Sequence, residues 1–177
     1  ITAESGSNGN LTIEVENKAS AYDGVTGIGN YLATGGGTSG NVTITGYADV
    51  TINATSNTAN YTSYGIYANK VVIEDHAKAA ITVNAPSNTG GGFVYGIYAK
   101  DNVTINTEGE IMVDVSNVGT TDRVYSIGVY AQNSLTLTKV GGMTVKWNNN
   151  HGTNGHPLSP APIYDSDAYD SNVTTVT

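Results

Sequence analysis

The chain has 177 residues, of which 38% are hydrophobic and 12% are charged, and its formal net charge at pH 7 is −8. Nucleic-acid binding depends on a basic patch, and the seven cations of this chain are scattered singly, so no nucleic-acid partner is expected. No apolar run approaches the roughly 18 residues of a membrane span, so we expect no membrane insertion by this segment. Cys is absent, which excludes disulfides and thiolate chemistry.

Residues 1–40 are predicted to form an atypical N-terminal coil that caps the rest. Leu11-Thr12-Ile13-Glu14-Val15 alternates apolar with polar residues and predicts a strand. Gly27-Ile28 followed by Tyr31-Leu32-Ala33 predicts a second strand, widened by two residues. The chain begins at Ile1 without a Met, and we interpret it as a piece of a longer protein.

Residues 41–147 contain three short segments that recur together. The first recurs as Val42-Thr43-Ile44, Val71-Val72-Ile73, Val103-Thr104-Ile105 and Leu135-Thr136-Leu137. The second recurs as Val50-Thr51-Ile52-Asn53-Ala54, Ile81-Thr82-Val83-Asn84-Ala85, Ile111-Met112-Val113-Asp114-Val115 and Met143-Thr144-Val145-Lys146-Trp147. The third recurs as Tyr64-Gly65-Ile66-Tyr67-Ala68, Tyr95-Gly96-Ile97-Tyr98-Ala99 and Gly128-Val129-Tyr130-Ala131. The three segments recur every 31 or so residues, and a fixed period of about this length indicates repeat architecture.

The segments alternate apolar and polar residues with a period of two, which indicates strands with one buried face. No segment has helical periodicity, so helical crossovers between the strands are not expected. After three strands, the chain must then return to its original direction, so that equivalent strands of successive coils stack in parallel. The sequence therefore predicts an all-β fold, a parallel β-helix (β-solenoid) of four to five coils, with about 31 residues and three short strands per coil.

Stacking places equivalent side chains above one another. On the outer face of the second segment, the aligned repeats predict a row of Asn53, Asn84, Asp114 and Lys146 beside a row of Thr51, Thr82, Met112 and Thr144. Hydrogen bonding along the Asn ladder is the favoured role of these rows. Asp114 and Lys146 are expected to form an exposed ion pair of little energetic value.

The third segment supplies the candidate ligand-binding residues. If Ile66, Ile97 and Val129 point inward, Tyr67, Tyr98 and Tyr130 form an outward row, one per coil. The glycines Gly65, Gly96 and Gly128 are then expected to leave a bare strip beside the row. Rings that face water along such a groove can stack on sugars or anchor a partner. The competing interpretation is that the stacked rings support one another and cover the strand beneath them.

No catalytic residues are predicted. Polysaccharide-cleaving β-helices need convergent carboxylates, or acids that bind Ca²⁺ together with a basic residue. The acids Glu74, Asp75, Glu108 and Glu110 lie in turns, and Arg123 is the only Arg. No cofactor is expected.

Residues 148–177 lack the repeat and are interpreted as a C-terminal cap or a linker. Asp165, Asp167 and Asp170 are spaced D-x-D-x-x-D, short of a complete calcium-loop signature. They are weak metal candidates, and a solvated tail is the default interpretation.

The G-I-Y-A rhythm of Gly65–Ala68 and Gly96–Ala99, its G-V-Y-A variant at Gly128–Ala131, and N-V-T-I at Asn41–Ile44 and Asn102–Ile105 together resemble the β-helical repeats of bacterial surface proteins. Autotransporter passengers, filamentous-haemagglutinin-type adhesins and repeat proteins of gut bacteria share this rhythm. The resemblance covers roughly residues 40–147 and implies an extracellular, bacterial cell-surface solenoid that acts as a non-enzymatic adhesin or structural stalk. Its partner would be a host surface protein or glycan, beside neighbouring domains of a longer chain. The alternative is a carbohydrate-binding or carbohydrate-processing β-helix that uses the Tyr row.

Overall fold

The computed structural model describes residues 1–6, 9–17, 24–29, 40–57, 61–88, 92–119 and 124–147, together with the backbone of 155–160 and 173–176. Sixteen strands lie in these ranges and form three sheets, and none of the described residues is helical.

The strands succeed one another through the three sheets in rotation. The first sheet contains β1 (Thr2–Ala3), β4 (Val42–Gly46), β7 (Val71–Asp75), β10 (Asn102–Thr107) and β13 (Ser134–Leu137), in that order. The second contains β2 (Asn10–Asn17), β5 (Asp49–Ser56), β8 (Lys78–Asn84), β11 (Glu110–Val115), β14 (Gly142–Trp147) and β16 (Val173–Val176). The third contains β3 (Thr26–Gly29), β6 (Ser63–Ala68), β9 (Gly92–Ala99), β12 (Val124–Ala131) and β15 (Gly155–Pro160).

Each strand from β1 to β15 pairs in parallel with its equivalent one coil away, which confirms the predicted β-solenoid. Three central coils, 42–68, 71–99 and 102–131, form the body of the stack. Strands before and after them extend the same sheets, so the predicted four to five coils correspond to these three coils and the strands added at both ends.

The core is the space enclosed by the three sheets. Alternate residues of the strands β5, β8 and β11 in the second sheet point into it, and equivalent positions carry apolar residues one coil apart. Ile44 pairs with Ile73 and Ile73 with Ile105 in the first sheet, and all three are fully buried. Trp147 lies on the last parallel strand of the second sheet and is 1% exposed.

The register of the second sheet corrects one prediction. Ile52 pairs with Ile81, so Asn53 lies opposite Thr82 and not opposite Asn84, as the aligned repeats predicted. The side chain of Asn84 instead donates a hydrogen bond to Thr55 Oγ1 at 3.4 Å. A shift of two residues leaves every side chain on its original face, so alternation cannot detect it.

The same shift places Ala80, and not Thr82, opposite both Thr51 and Met112, and it places Thr82, and not Asn84, opposite Asp114. The predicted pairing of β11 with β14 is correct. Asp114 pairs with Lys146, and their charged groups approach to 3.6 Å as the expected ion pair. The predicted strand at Leu11–Val15 is β2. Gly27-Ile28 lies in β3, whereas Tyr31, Leu32 and Ala33 are outside the described residues.

Two strands follow the last repeat, in the segment interpreted as a cap or linker. β15 continues the third sheet in parallel. β16 pairs antiparallel with β14, so the second sheet ends at this side with a reversed strand.

Candidate functional site

The candidate site is the outer face of the third sheet, which carries the Tyr row. Tyr67 pairs with Tyr98, and Tyr98 pairs with Tyr130, so the three side chains lie above one another as predicted. Their neighbours Ile66, Ile97 and Val129 are fully buried in the core. The aromatic side chains form a separate apolar cluster outside that core.

Each of two strands contributes a second Tyr to this face. Tyr64 and Tyr95 pair with each other and belong to the same outer cluster as Tyr67. A strict period of two would place residues three apart on opposite faces. The strand therefore departs from simple alternation between the two tyrosines.

The departure occurs at the glycine. Gly65 points into the core, where a Cβ would collide with the side chain of Ile81 and lie 2.6 Å from the carbonyl oxygen of Gly96. Gly96 is similarly placed: a Cβ added there would lie 2.6 Å from the carbonyl oxygen of Gly128. Gly65 and Ile66 thus both face inward, which resembles the effect of a β-bulge and returns the next Tyr to the outer face.

This geometry corrects the prediction of a bare glycine strip beside the Tyr row. All three glycines, Gly65, Gly96 and Gly128, are buried, and at Gly65 and Gly96 an added Cβ would point to the inner side of the sheet. Glycine is required at Gly65 and Gly96 because the adjacent coil and the second sheet leave no room for a side chain. The outer surface beside the row is filled by Tyr64 and Tyr95 instead.

The rings of the row stack along the axis of the solenoid. Tyr67 and Tyr98 have ring centroids 5.3 Å apart, and Tyr98 and Tyr130 5.0 Å apart, with 13° between the planes in both pairs. Tyr64 and Tyr95 stack at 5.4 Å and 6°. Ring faces are therefore directed at the next coil, and not outward.

Edge-to-face contacts join the two rows. Tyr64 meets Tyr67 with centroids 4.9 Å apart, and Tyr95 meets Tyr98 at 5.0 Å, with interplanar angles of 61° and 73°. Both offset stacking and edge-to-face contact are favourable arrangements of aromatic rings. We call the two rows together the aromatic face, defined by Tyr64, Tyr67, Tyr95, Tyr98 and Tyr130.

Mutual packing covers most of the aromatic face. Tyr64, Tyr67 and Tyr95 are 6%, 7% and 7% exposed, while Tyr98 and Tyr130 are half-buried. The expectation of rings that face water is therefore wrong for Tyr67. The Lys100 ammonium lies 5.5 Å from the ring centroid of Tyr67, within reach of a cation–π contact.

Sequence reasoning missed part of this cluster. Phe93 stacks on Tyr125 with centroids 4.8 Å apart, and Ile127 takes the place in the last coil that Tyr64 and Tyr95 hold in the others. The first Tyr of each Tyr-Gly-Ile-Tyr repeat was the available signal. Regular alternation assigns the first and the second Tyr of a repeat, which are three residues apart, to opposite faces, so the sequence does not predict that both lie on the outer face.

A polar cluster lies at the turn between the first and second sheets. Asp75 accepts hydrogen bonds from Thr45 Oγ1 at 2.5 Å and from the backbone N–H of Gly46 at 3.2 Å. These two bonds, and less so the charge of His76, hold the pKa of Asp75 below its usual value. The carboxylate is thereby fixed on the preceding coil.

His76 connects Tyr47 to Glu108 at the same turn. Its ring stacks on Tyr47 with centroids 4.6 Å apart, and its Nδ1 lies 3.1 Å from Glu108 Oε2. A cleft of about 190 Å³ is lined by Asp75, His76, Asn106, Glu108 and Lys139. Asp75, His76 and Glu108 are exposed, and they also form contacts between successive coils.

Within the part of the chain that the structure describes, no three His, Asp or Glu side chains are grouped closely enough to hold a metal ion. The weak metal candidates Asp165, Asp167 and Asp170 lie outside the described residues, as does Arg123. Among the described residues, no helix is long and apolar enough to cross a membrane.

Comparison of the chain with protein-family models, with curated proteins and with solved structures finds no match. The resemblance to bacterial surface repeats therefore stays a prediction based on the motifs alone.

Proposed function

We propose that this chain is an exported, bacterial cell-surface β-solenoid that acts as a non-enzymatic structural stalk, the second of the two roles expected beside that of an adhesin. The observation that carries the proposal is the orientation of the Tyr rings. The faces of Tyr67, Tyr98 and Tyr130 are directed at one another along the axis, at centroid distances of 5.3 and 5.0 Å. Rings in this arrangement join coils to each other.

The same orientation weakens the carbohydrate-binding alternative. An aromatic side chain that binds a sugar by stacking presents its ring face to the ligand. Within the Tyr row, the two faces of Tyr98 are turned toward Tyr67 and Tyr130. A glycan would therefore meet ring edges and hydroxyl groups, which bind by hydrogen bonds and not by stacking.

A non-enzymatic role is supported by the contacts of the acidic turn residues. Asp75 is bonded to Thr45 and Gly46, and Glu108 lies against His76. These carboxylates connect coils, and a pair of carboxylates that cleaves a glycosidic bond must instead converge on the substrate.

Glycan and host-protein arrays, probed with the wild type and with two Tyr98 variants, test this proposal. Tyr98→Ala removes the ring, whereas Tyr98→Phe keeps the ring and removes the hydroxyl. A stalk predicts no specific array signal that depends on Tyr98, and a lower melting temperature for Tyr98→Ala. Specific binding that Tyr98→Phe abolishes, with an unchanged melting temperature, would establish the binding alternative.

Location is tested separately. Antibody labelling of intact cells of the source organism should detect the chain before lysis. Labelling that requires lysis would contradict surface export and leave the structural role of the aromatic face untouched.

A further inference from the structure

Tyr98 and Tyr130 combine a stacked ring pair with access to solvent. Their ring centroids lie 5.0 Å apart, with 13° between the planes, and both side chains are half-buried. The backbone fixes this pairing, because the two residues lie directly opposite each other in the parallel strands β9 and β12. Two phenols that are 32 residues apart in the sequence are thereby held against each other.

Two phenols in contact can be coupled by oxidation. A one-electron oxidant removes an electron from a phenol, the hydroxyl proton passes to solvent, and a phenoxyl radical remains. Much of its unpaired electron lies on the two ring carbons beside the carbon that carries oxygen. Two such radicals form a bond between these carbons, and each ring regains its hydroxyl group as the hydrogen of the bonded carbon moves to oxygen. Contact before oxidation makes the coupling step effectively unimolecular.

Other oxidisable side chains of the chain are placed differently. Cys is absent, and the single Trp, Trp147, is 1% exposed in the core. Tyr47 is 44% exposed, but its ring stacks on the imidazole of His76, which has no phenol to couple with. A radical formed at Tyr98 or Tyr130 instead has a second phenol ring directly against it.

Tyr98 also stacks on Tyr67, at a centroid distance of 5.3 Å, but Tyr67 is only 7% exposed. A bond between two rings requires them to turn from a face-to-face arrangement toward one in which their edges meet. Tyr67 is held between the edge of Tyr64 and the Lys100 ammonium, and packing of this kind opposes the turn. The greater exposure of Tyr130 therefore favours it as the coupling partner of Tyr98.

We propose that Tyr98 and Tyr130 form a modification site, at which a one-electron oxidant joins the two rings in a dityrosine crosslink. A haem peroxidase acting with hydrogen peroxide is an oxidant of this class. The two phenols lose two electrons and two protons in all, and one peroxide molecule takes them up to give two molecules of water. The inference goes beyond the proposed function, because it depends on the ring geometry and not on surface export.

The crosslink joins two successive coils covalently on their outer face. It closes the loop of chain between β9 and β12, and a covalent link between residues distant in sequence restricts the unfolded state. The crosslinked chain should therefore melt at a higher temperature than the untreated chain. For a stalk, the consequence is that these two coils can no longer separate when the noncovalent contacts between them are broken.

Photo-oxidation of the full chain tests the proposal, with a ruthenium(II) tris-bipyridine sensitiser and persulfate as the terminal electron acceptor. In dilute solution, mass spectrometry should show single chains that have lost two hydrogen atoms. Proteolysis should then release a peptide pair joined at Tyr98 and Tyr130. The yield of this product should be at least about tenfold higher for the folded chain than for the chain unfolded in urea, since the fold holds the two rings in contact.

Two variants complete the test. Tyr130→Phe keeps the ring but removes the phenol, so the Tyr98–Tyr130 product should disappear. Tyr47→Phe is the matched control, because it removes an exposed phenol that stacks on His76, and it should leave the yield unchanged. Equal yields from the folded and the unfolded chain would overturn the proposal. So would crosslinks that form mainly between chains, or mainly between Tyr67 and Tyr98.

Discussion

Tyr98 and Tyr130 stack with their ring centroids 5.0 Å apart and their planes inclined by 13°, on strands that belong to successive coils. The contact lies outside the core, on the aromatic face. Successive coils are therefore joined by ring contacts on the outer face as well as by the stacked aliphatic side chains of the core. The stability of the third sheet should therefore depend on these rings, as in the interpretation of the sequence in which the stacked rings support one another.

Replacing Tyr98 tests this dependence. Tyr98→Ala removes two stacking contacts and the edge contacts with Tyr64 and Tyr95, and should lower the free energy of unfolding by about 2–3 kcal/mol. Tyr98→Phe keeps the ring and loses the interactions of one hydroxyl, at a cost of about 1 kcal/mol or less. Urea unfolding followed by circular dichroism measures both. Equal losses for the two variants would show that the hydroxyl, and not the stacked ring, is what matters.

The buried glycines should tolerate no side chain. In Gly96→Ala the new Cβ would lie 2.6 Å from the carbonyl oxygen of Gly128 and would collide with the side chain of Val113. Overpacking of this kind costs about 1–3 kcal/mol, and a rigid backbone oxygen places the expected loss at the upper end. Gly142→Ala is the control, because its nearest atom is Glu110 Cγ at 4.0 Å. Thermal melting should be lowered for Gly96→Ala alone, and a similar shift in both variants would contradict the inward orientation of Gly96.

The aromatic face also shows what sequence reasoning could and could not establish. The period, the three strands per coil and the alignment of Tyr67 with Tyr98 follow from repetition alone, since identical segments stack on themselves. The inward orientation of Gly65 does not follow, because it arises from contacts with Gly96 and Ile81 on other strands. Nor does the register of Asn53, because a shift of two residues preserves every apolar position.

The backbone conformation of Asp75 leads to a further prediction. Its φ is 66°, in the left-handed region, and the equivalent position one coil earlier is Gly46 with φ 69°. Asp75→Ala loses the hydrogen bonds from Thr45 and Gly46 and keeps the backbone strain, whereas Asp75→Gly loses the bonds and relieves the strain. The melting temperature should therefore fall further for Ala than for Gly, and the reverse order would contradict this explanation of the turn.

The same residue links stability to pH. Hydrogen bonds from Thr45 and Gly46 lower the pKa of Asp75 in the folded state below the ordinary value of 3.8. Its contribution to stability is therefore fully present above that ordinary value, and it is lost as the pH falls through the lower folded pKa. Asp75→Asn, which does not ionise, should be less stable than the wild type at pH 7 and should approach it near pH 2. Melting curves at both pH values measure this, and a difference independent of pH would contradict it.

A double-mutant cycle on Tyr98 and Tyr130 tests the central claim, that the rings of the row are bound to one another. Leu at each position, singly and together, keeps an apolar side chain while removing the stacked pair. Urea unfolding of the four proteins should give a coupling energy of about 0.5–1.5 kcal/mol in favour of the Tyr pair. A coupling energy indistinguishable from zero would contradict the account, since the two rings would then contribute to the solenoid independently.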